Sequence, residues 1–125
     1  MISGIIRIEC GICHSLCIDI YHNLYVFGCN QFGQLGLGDT NNRNKPIKHP
    51  SLSNIIDISN GGNHTFVKTS NNEIYAFGNN TWSELGVDKE LHNSYFPIQV
   101  FPNNNDNIWC SKVNKPKGKS ARNKN

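Results

Sequence analysis

The feature that most restricts what this chain can become is an internal duplication. Sliding the sequence along itself by 50 positions places Ile5-Ile6-Arg7-Ile8 on Ile55-Ile56-Asp57-Ile58, Gly11 on Gly61 and His14 on His64. Further on, Tyr25, Phe27, Gly28 and Asn30 fall on Tyr75, Phe77, Gly78 and Asn80, and Leu35-Gly36 falls on Leu85-Gly86. The register holds without a gap over residues 5–39, and the identities are mostly glycine, aromatic and isoleucine. Asparagine, roughly a sixth of the chain, contributes little to the match, so biased composition does not explain it. A fold built from two copies of one module is required.

Each copy reads as four short strands joined by turns, with no apolar spacing long enough for a helix. In the first copy the strands are Ile5 to Cys10, His14 to Ile20, Leu24 to Cys29, and a fourth around Pro46-Ile47-Lys48; in the second, Phe96 to Val100 supplies the fourth. Proline suits an edge strand, because it cannot donate to the ladder. The hairpins around Tyr21-His22-Asn23 and Asn71-Asn72 are expected to use asparagine for the left-handed conformation of a tight turn. In the third strand both faces are apolar: Leu24 and Val26 alternate with Tyr25 and Phe27, as Ile74 and Ala76 do with Tyr75 and Phe77. A sheet apolar on both faces needs cover on both, which face-to-face stacking of sheets provides. The expected fold is all-β, a partial β-propeller of about two four-stranded blades.

The ordered residues resemble the repeat of the regulator of chromosome condensation family. The motif runs Cys10-Gly11-Ile12-Cys13-His14-Ser15, then Leu24-Tyr25-Val26-Phe27-Gly28-Cys29-Asn30, then Phe32-Gly33-Gln34-Leu35-Gly36-Leu37-Gly38-Asp39. The second copy departs from it at Ser83 and Asp88, where the first has glycine. The division drawn from this is residues 1–106 as two repeats, about 5–54 and 55–106. Residues 107–125 are then a degenerate third start at Asn107-Ile108-Trp109 and a basic tail. The resemblance implies a propeller that binds proteins. Some relatives are exchange factors for Ran-type small GTPases, while others are regulatory, ubiquitin-ligase-associated or light-sensing modules.

The net charge of +3 is set by the end of the chain. Lys112, Lys115, Lys117, Lys119, Arg122 and Lys124 lie where no acidic residue occurs, leaving six basic against nine acidic residues elsewhere. With almost no apolar residue after Val113, this segment is expected to be disordered and available for phosphate contacts or as an import signal. It lacks interleaved aromatics for base stacking. No apolar run approaches the ~20 residues of a membrane span, and the N-terminus lacks an export pattern. An intracellular location, cytoplasmic or nuclear, and free thiols follow as expectations.

Three motifs suggest chemistry and each has a plainer explanation. Cys10-x-x-Cys13-His14 has the pattern of covalent haem attachment, but the second copy keeps glycine and histidine there without cysteine. Cys10, Cys13, His14 and Cys17 are zinc-type ligands, yet along a strand alternate residues face opposite ways and cannot surround one ion. The loop glycines 33, 36 and 38 lack the Gly-Lys-Ser/Thr of a phosphate loop. His14 and His64 have no nucleophile or carboxylate repeating beside them, so both are read as structural, satisfying open backbone groups. No enzyme activity, metal or cofactor is expected. A protein partner is, a small GTPase among the alternatives, with nucleic acid or chromatin binding through the tail as another. Two blades alone should leave their outer apolar faces in water, so self-association or a missing set of blades is expected.

Overall fold

The computed structural model describes residues 4–80 and 93–100. Eight strands run in chain order: β1 (Ile5–Cys10), β2 (His14–Asp19), β3 (Leu24–Gly28), β4 (Arg43–Lys48), β5 (Ile55–Asn60), β6 (His64–Thr69), β7 (Ile74–Asn79) and β8 (Asn93–Val100). They form two antiparallel four-stranded sheets, β1-β2-β3-β4 and β5-β6-β7-β8. Each strand pairs with the next, so each repeat closes as one local meander. The described residues are all-β. Pro46 and Pro97 sit in β4 and β8, the last strand of each sheet, as an imide without an N–H requires. Both fourth strands begin several residues earlier than the prolines suggested.

The register explains the packing. Leu16 faces Val26 and Ile18 faces Leu24 across β2 and β3, forming one apolar side of the first sheet. In the second sheet Val67 faces Ile58 and Tyr75, and Thr65 faces Phe77. These two sides meet: Leu16, Ile18, Leu24 and Val26 form one core with Ile55, Ile58, Val67 and Phe77, joined by Leu35 from the β3–β4 loop and Leu52 from the inter-sheet linker. Face-to-face contact of two sheets buries both apolar sides, and that burial is the main stabilising term.

Two expectations are corrected. In the first hairpin the left-handed residue is His22, at φ 67°, not an asparagine; in the second it is Asn72, at φ 66°. The turn instead draws on Asp19, whose carboxylate accepts from the Tyr21 and Asn23 amides, both at 2.9 Å. Thr69 does the same in the second copy, accepting from Asn71 and Glu73. The strand-ending residue closes the loop through its own oxygen, so the geometry tolerates histidine at the tip. The second correction concerns the outer faces. On the first sheet Ile8 is 63% exposed, but on the second the outward side is buried, with Phe66, Ile74, Ala76 and Val100 gathered in a core of their own against Ile98.

Repeat-equivalent positions therefore carry unequal energies. Ile58 is fully buried, whereas Ile8, one repeat earlier, is mostly in water. Ile58→Ala should cost about 2–5 kcal/mol, and Ile8→Ala no more than about 0.5 kcal/mol. Urea unfolding of the two variants against the parent chain measures both; equal losses would show that the two sheets do not pack as described.

Candidate interaction surface

The seam between the sheets is organised by residues that recur in both copies. Gly11 and Gly61 each close a turn by donating their N–H to the carbonyl of the histidine three residues on, at 2.8 and 3.0 Å. That histidine ring then folds back over the glycine. A Cβ on Gly11 would overlap the His14 ring, and one on Gly61 would overlap the His64 ring. The Gly-x-x-His pattern is thus a steric pair, because any side chain at the glycine would expel the imidazole. His64 begins β6 with its ring edge-on to Phe66, at 5.7 Å between centroids.

His14 crosses the seam. Its Nε2 lies 3.0 Å from Thr65 Oγ1, and the Thr65 hydroxyl donates to the Gln34 carbonyl at 2.7 Å. Since that hydroxyl has one proton, it accepts from His14, which fixes the neutral Nε2–H tautomer. The partner is a side chain of the other sheet, where an open backbone group had been expected. Burial lowers the imidazole pKa to about 4, against an opposing pull from the His64 backbone.

Asn30 holds the glycine-rich loop. Its side-chain amide donates to the Asp39 and Asn41 carbonyls at 2.9 and 3.1 Å, while its oxygen accepts from the Leu35 amide at 2.9 Å. Leu35 is thereby set into the seam, and Gly36 lies against the Phe77 ring. Asp39 also pairs with Arg43 at 2.9 Å, and the Arg43 hydrogen bond comes first among the contacts that hold its carboxyl below the usual range. The loop reaches the second sheet at β8, where the Gly38 amide donates to the Tyr95 carbonyl at 2.9 Å. Asn80 is buried at the repeat-equivalent position.

Sequence reasoning missed His49. Its Nε2–H donates to the Gly36 carbonyl at 2.9 Å and its Nδ1 accepts from the Ser51 and Leu52 amides, tying the loop to the inter-sheet linker. Burial lowers its pKa as well. The second copy has Val100 at this position, opposite Ile74 as His49 is opposite Leu24, so the duplication could not flag it.

The remaining named residues divide clearly. Tyr25 and Tyr75 are half-buried, with hydroxyls donating to Asp19 and Glu73 respectively. Phe27 is half-buried on the outward side, Phe77 buried in the seam, and Gly28 and Gly78 end the inner pairing of β3 and β7. Leu85, Gly86 and the basic residues Lys112, Lys115, Lys117, Lys119, Arg122 and Lys124 lie outside the described residues. The cysteine-rich stretch does not converge: His14 turns into the seam, Cys10 is exposed and Cys17 is buried. Among the described residues no group of three histidine, cysteine or acidic side chains could hold a metal. Nor is any helix there long and apolar enough to cross a membrane.

Two family models, both described as the regulator of chromosome condensation (RCC1) repeat, match residues 21–67 and 55–81. The chain is built from RCC1-family repeats. The longer match runs from the first hairpin through the linker into β6, so it straddles the seam. The ultraviolet-B receptor UVR8 of Arabidopsis thaliana is 36% identical over 107 residues, which is 83% of this chain and 24% of the receptor. Yeast RCC1 (Prp20), solved bound to Kap60, superimposes with a TM-score of 0.72 at 16% identity, over 80% of this chain and 26% of that one. A second structure, Prp20p from Saccharomyces cerevisiae, a protein with binding properties toward Gsp1p and histones, gives 0.65 at 21% identity over 78% and 26%. The chain thus spans about a quarter of these relatives, and the solved structures establish the propeller-blade fold.

In this RCC1 blade pair the outward side of the first sheet carries Ile8, which is mostly in water. Its equivalent, Ile58, lies on the side by which the second sheet packs on the first.

The two lowered histidines give stability a defined pH dependence. The unfolded chain takes up a proton near the ordinary 6.5, while folded His14 refuses it until about 4. Stability is therefore full above that window and falls as pH drops through it, by on the order of 3 kcal/mol for His14. His49 adds in the same direction. Denaturation midpoints between pH 7 and 4 should fall steadily, and His14→Gln should flatten the slope; a variant with the parent's slope would remove His14 from this account.

Proposed function

We infer that this chain is a non-catalytic protein-interaction module, two blades of a longer RCC1-type propeller surface or a remnant of one. The observation that carries this reading is the inequality between equivalent faces. Ile8 is 63% exposed where its equivalent Ile58 is buried, and half-buried Tyr25 and Phe27 lie on the same side of the first sheet. A single-chain fold gains nothing by leaving such a patch in water, whereas a sheet that receives another surface does. The occupant is further blades, a second copy or a protein partner. The unit is residues 1–106, with 107–125 an appended basic segment, and the setting is cytoplasmic or nuclear.

A second reading is that the chain is all or part of an exchange factor for a Ran-type small GTPase. It is favoured by the likeness to Prp20p, which binds Gsp1p and histones. A third, chromatin or nucleic-acid binding, assigns the contacts to Lys112, Lys115, Lys117, Lys119, Arg122 and Lys124 through counterion release.

Light scattering over a series of concentrations tests the first reading. The mass is expected to rise with concentration, and a compact, monodisperse monomer that melts cooperatively would overturn it. Accelerated nucleotide release from a loaded Ran-type GTPase would promote the second reading. Loss of DNA binding on removing residues 112–125 would promote the third.

A further inference from the structure

Cys13 and Cys29 meet across the first sheet. β2 and β3 pair with His14 opposite Gly28, so one step further along Cys13 stands opposite Cys29, and the Cys29 amide donates to the Cys13 carbonyl at 2.8 Å. Gly28 makes this approach feasible. It adopts φ +109°, and a Cβ there would stand 2.6 Å from the Cys13 carbonyl oxygen. A hydrogen-bonded pair of this kind holds its Cα atoms about 5.5 Å apart, inside the range a disulfide spans, and its Cβ atoms must close by about 1 Å for the bond to form.

The second repeat has the same rung without the sulfur. The Asn79 amide donates to the Asn63 carbonyl at 3.0 Å, and Gly78 sits as close to Asn63 as Gly28 does to Cys13. The backbone geometry therefore belongs to the module, and the thiol pair is particular to the first copy. Other described cysteines lack such a neighbour: Cys10 pairs with Ser15, and buried Cys17 lies between Ile8 and Tyr25. Cys13 is exposed and Cys29 half-buried, so small molecules reach the pair. The Cys13 thiol is raised above its ordinary value, first by its hydrogen bond with Cys29, then by burial and by the charge of Cys29. Those interactions require the two sulfurs to be neighbours, and they disfavour two thiolates side by side.

We propose that Cys13 and Cys29 form a dithiol site that exchanges with small-molecule disulfides and closes a reversible cross-link between the start of β2 and the end of β3. One cysteine thiolate attacks a sulfur of the small disulfide, giving a mixed disulfide and releasing one small thiolate. The other cysteine loses its proton to solvent and attacks the protein-side sulfur, forming the internal S–S bond and releasing the second. Two protein thiols are oxidised and one small disulfide is reduced to two thiols. The cross-link fastens the root of the loop that follows Cys29. That loop carries Asn30, Gln34 and Leu35, so the oxidised form holds the seam more firmly.

The test uses the full chain, reduced, then exposed without denaturant to oxidised glutathione at mildly alkaline pH. Free thiols are capped with an alkylating agent before peptide mass mapping. The expected product has lost two hydrogens, about 2 Da, carries a Cys13–Cys29 linked peptide and bears no glutathione at either residue. Cys29→Ser should instead retain glutathione at Cys13, which separates loss of the resolving thiol from loss of folding. Glutathione left on both residues, both remaining alkylatable, or linkage of either to Cys10, Cys17 or Cys110 would overturn the proposal. Amide exchange at residues 30–38 should slow at least about tenfold in the oxidised chain; unchanged exchange would overturn the effect on the seam.

Discussion

The contact between the inner side of the first sheet and the facing side of the second is what the rest of this molecule depends on. Four-stranded meanders of five- to eight-residue strands bury too little surface alone. Pressing Leu16, Ile18, Leu24 and Val26 against Ile55, Ile58, Val67 and Phe77 makes one core from two modules. Most polar groups at the seam are paired, His14 Nδ1 being a buried atom without a partner. His14, Thr65 and the Gln34 carbonyl form one chain of hydrogen bonds across it, and His49 occupies Gly36 from the side. Outside the core Arg7 reaches Asp57 and the Ile58 carbonyl, but with both side chains partly in water this pair orients the sheets more than it stabilises them.

The same contact accounts for the buried histidines being neutral. A seam that excludes water disfavours the imidazolium; His49 uses both ring nitrogens, one donating and one accepting, while His14 donates from Nε2 and keeps a buried, unpartnered Nδ1. The polar network and the apolar core are thus coupled: protonating His49 would place a charge beside the Phe77 ring, 5.9 Å away between centroids. Catalysis would ask such a group to exchange protons with solvent, and these two are positioned to avoid it.

Much of the architecture was legible from the duplication itself. A two-fold repeat of a four-strand pattern, apolar on both sides of its third strand, admits few solutions other than stacked sheets, and the prolines marked the last strand of each. The Gly-x-x-His and Asn residues were visible as repeated positions, but not their contacts. His14 bonds to Thr65 and Asn30 gathers Asp39, Asn41 and Leu35, contacts set by which surfaces meet rather than by local spacing. His49 was invisible because no repeat partner existed to single it out, and the tip of the first hairpin was misjudged because Asp19, a strand residue, governs the turn.

What the amino-acid order settled by itself was the module: its strands, its turns, its two apolar sides and its recurrence, all of which are local patterns with periods of two and fifty. What only the tertiary structure decided was the inequality of the two copies. Identical isoleucines at positions 8 and 58 differ because one has a sheet laid over it and the other does not. Likewise Cys13 and Cys29, sixteen residues apart in sequence, become neighbours only through the strand register. Burial and proximity are properties of what lies on the other side of a contact, and a sequence pattern specifies a surface without specifying what covers it.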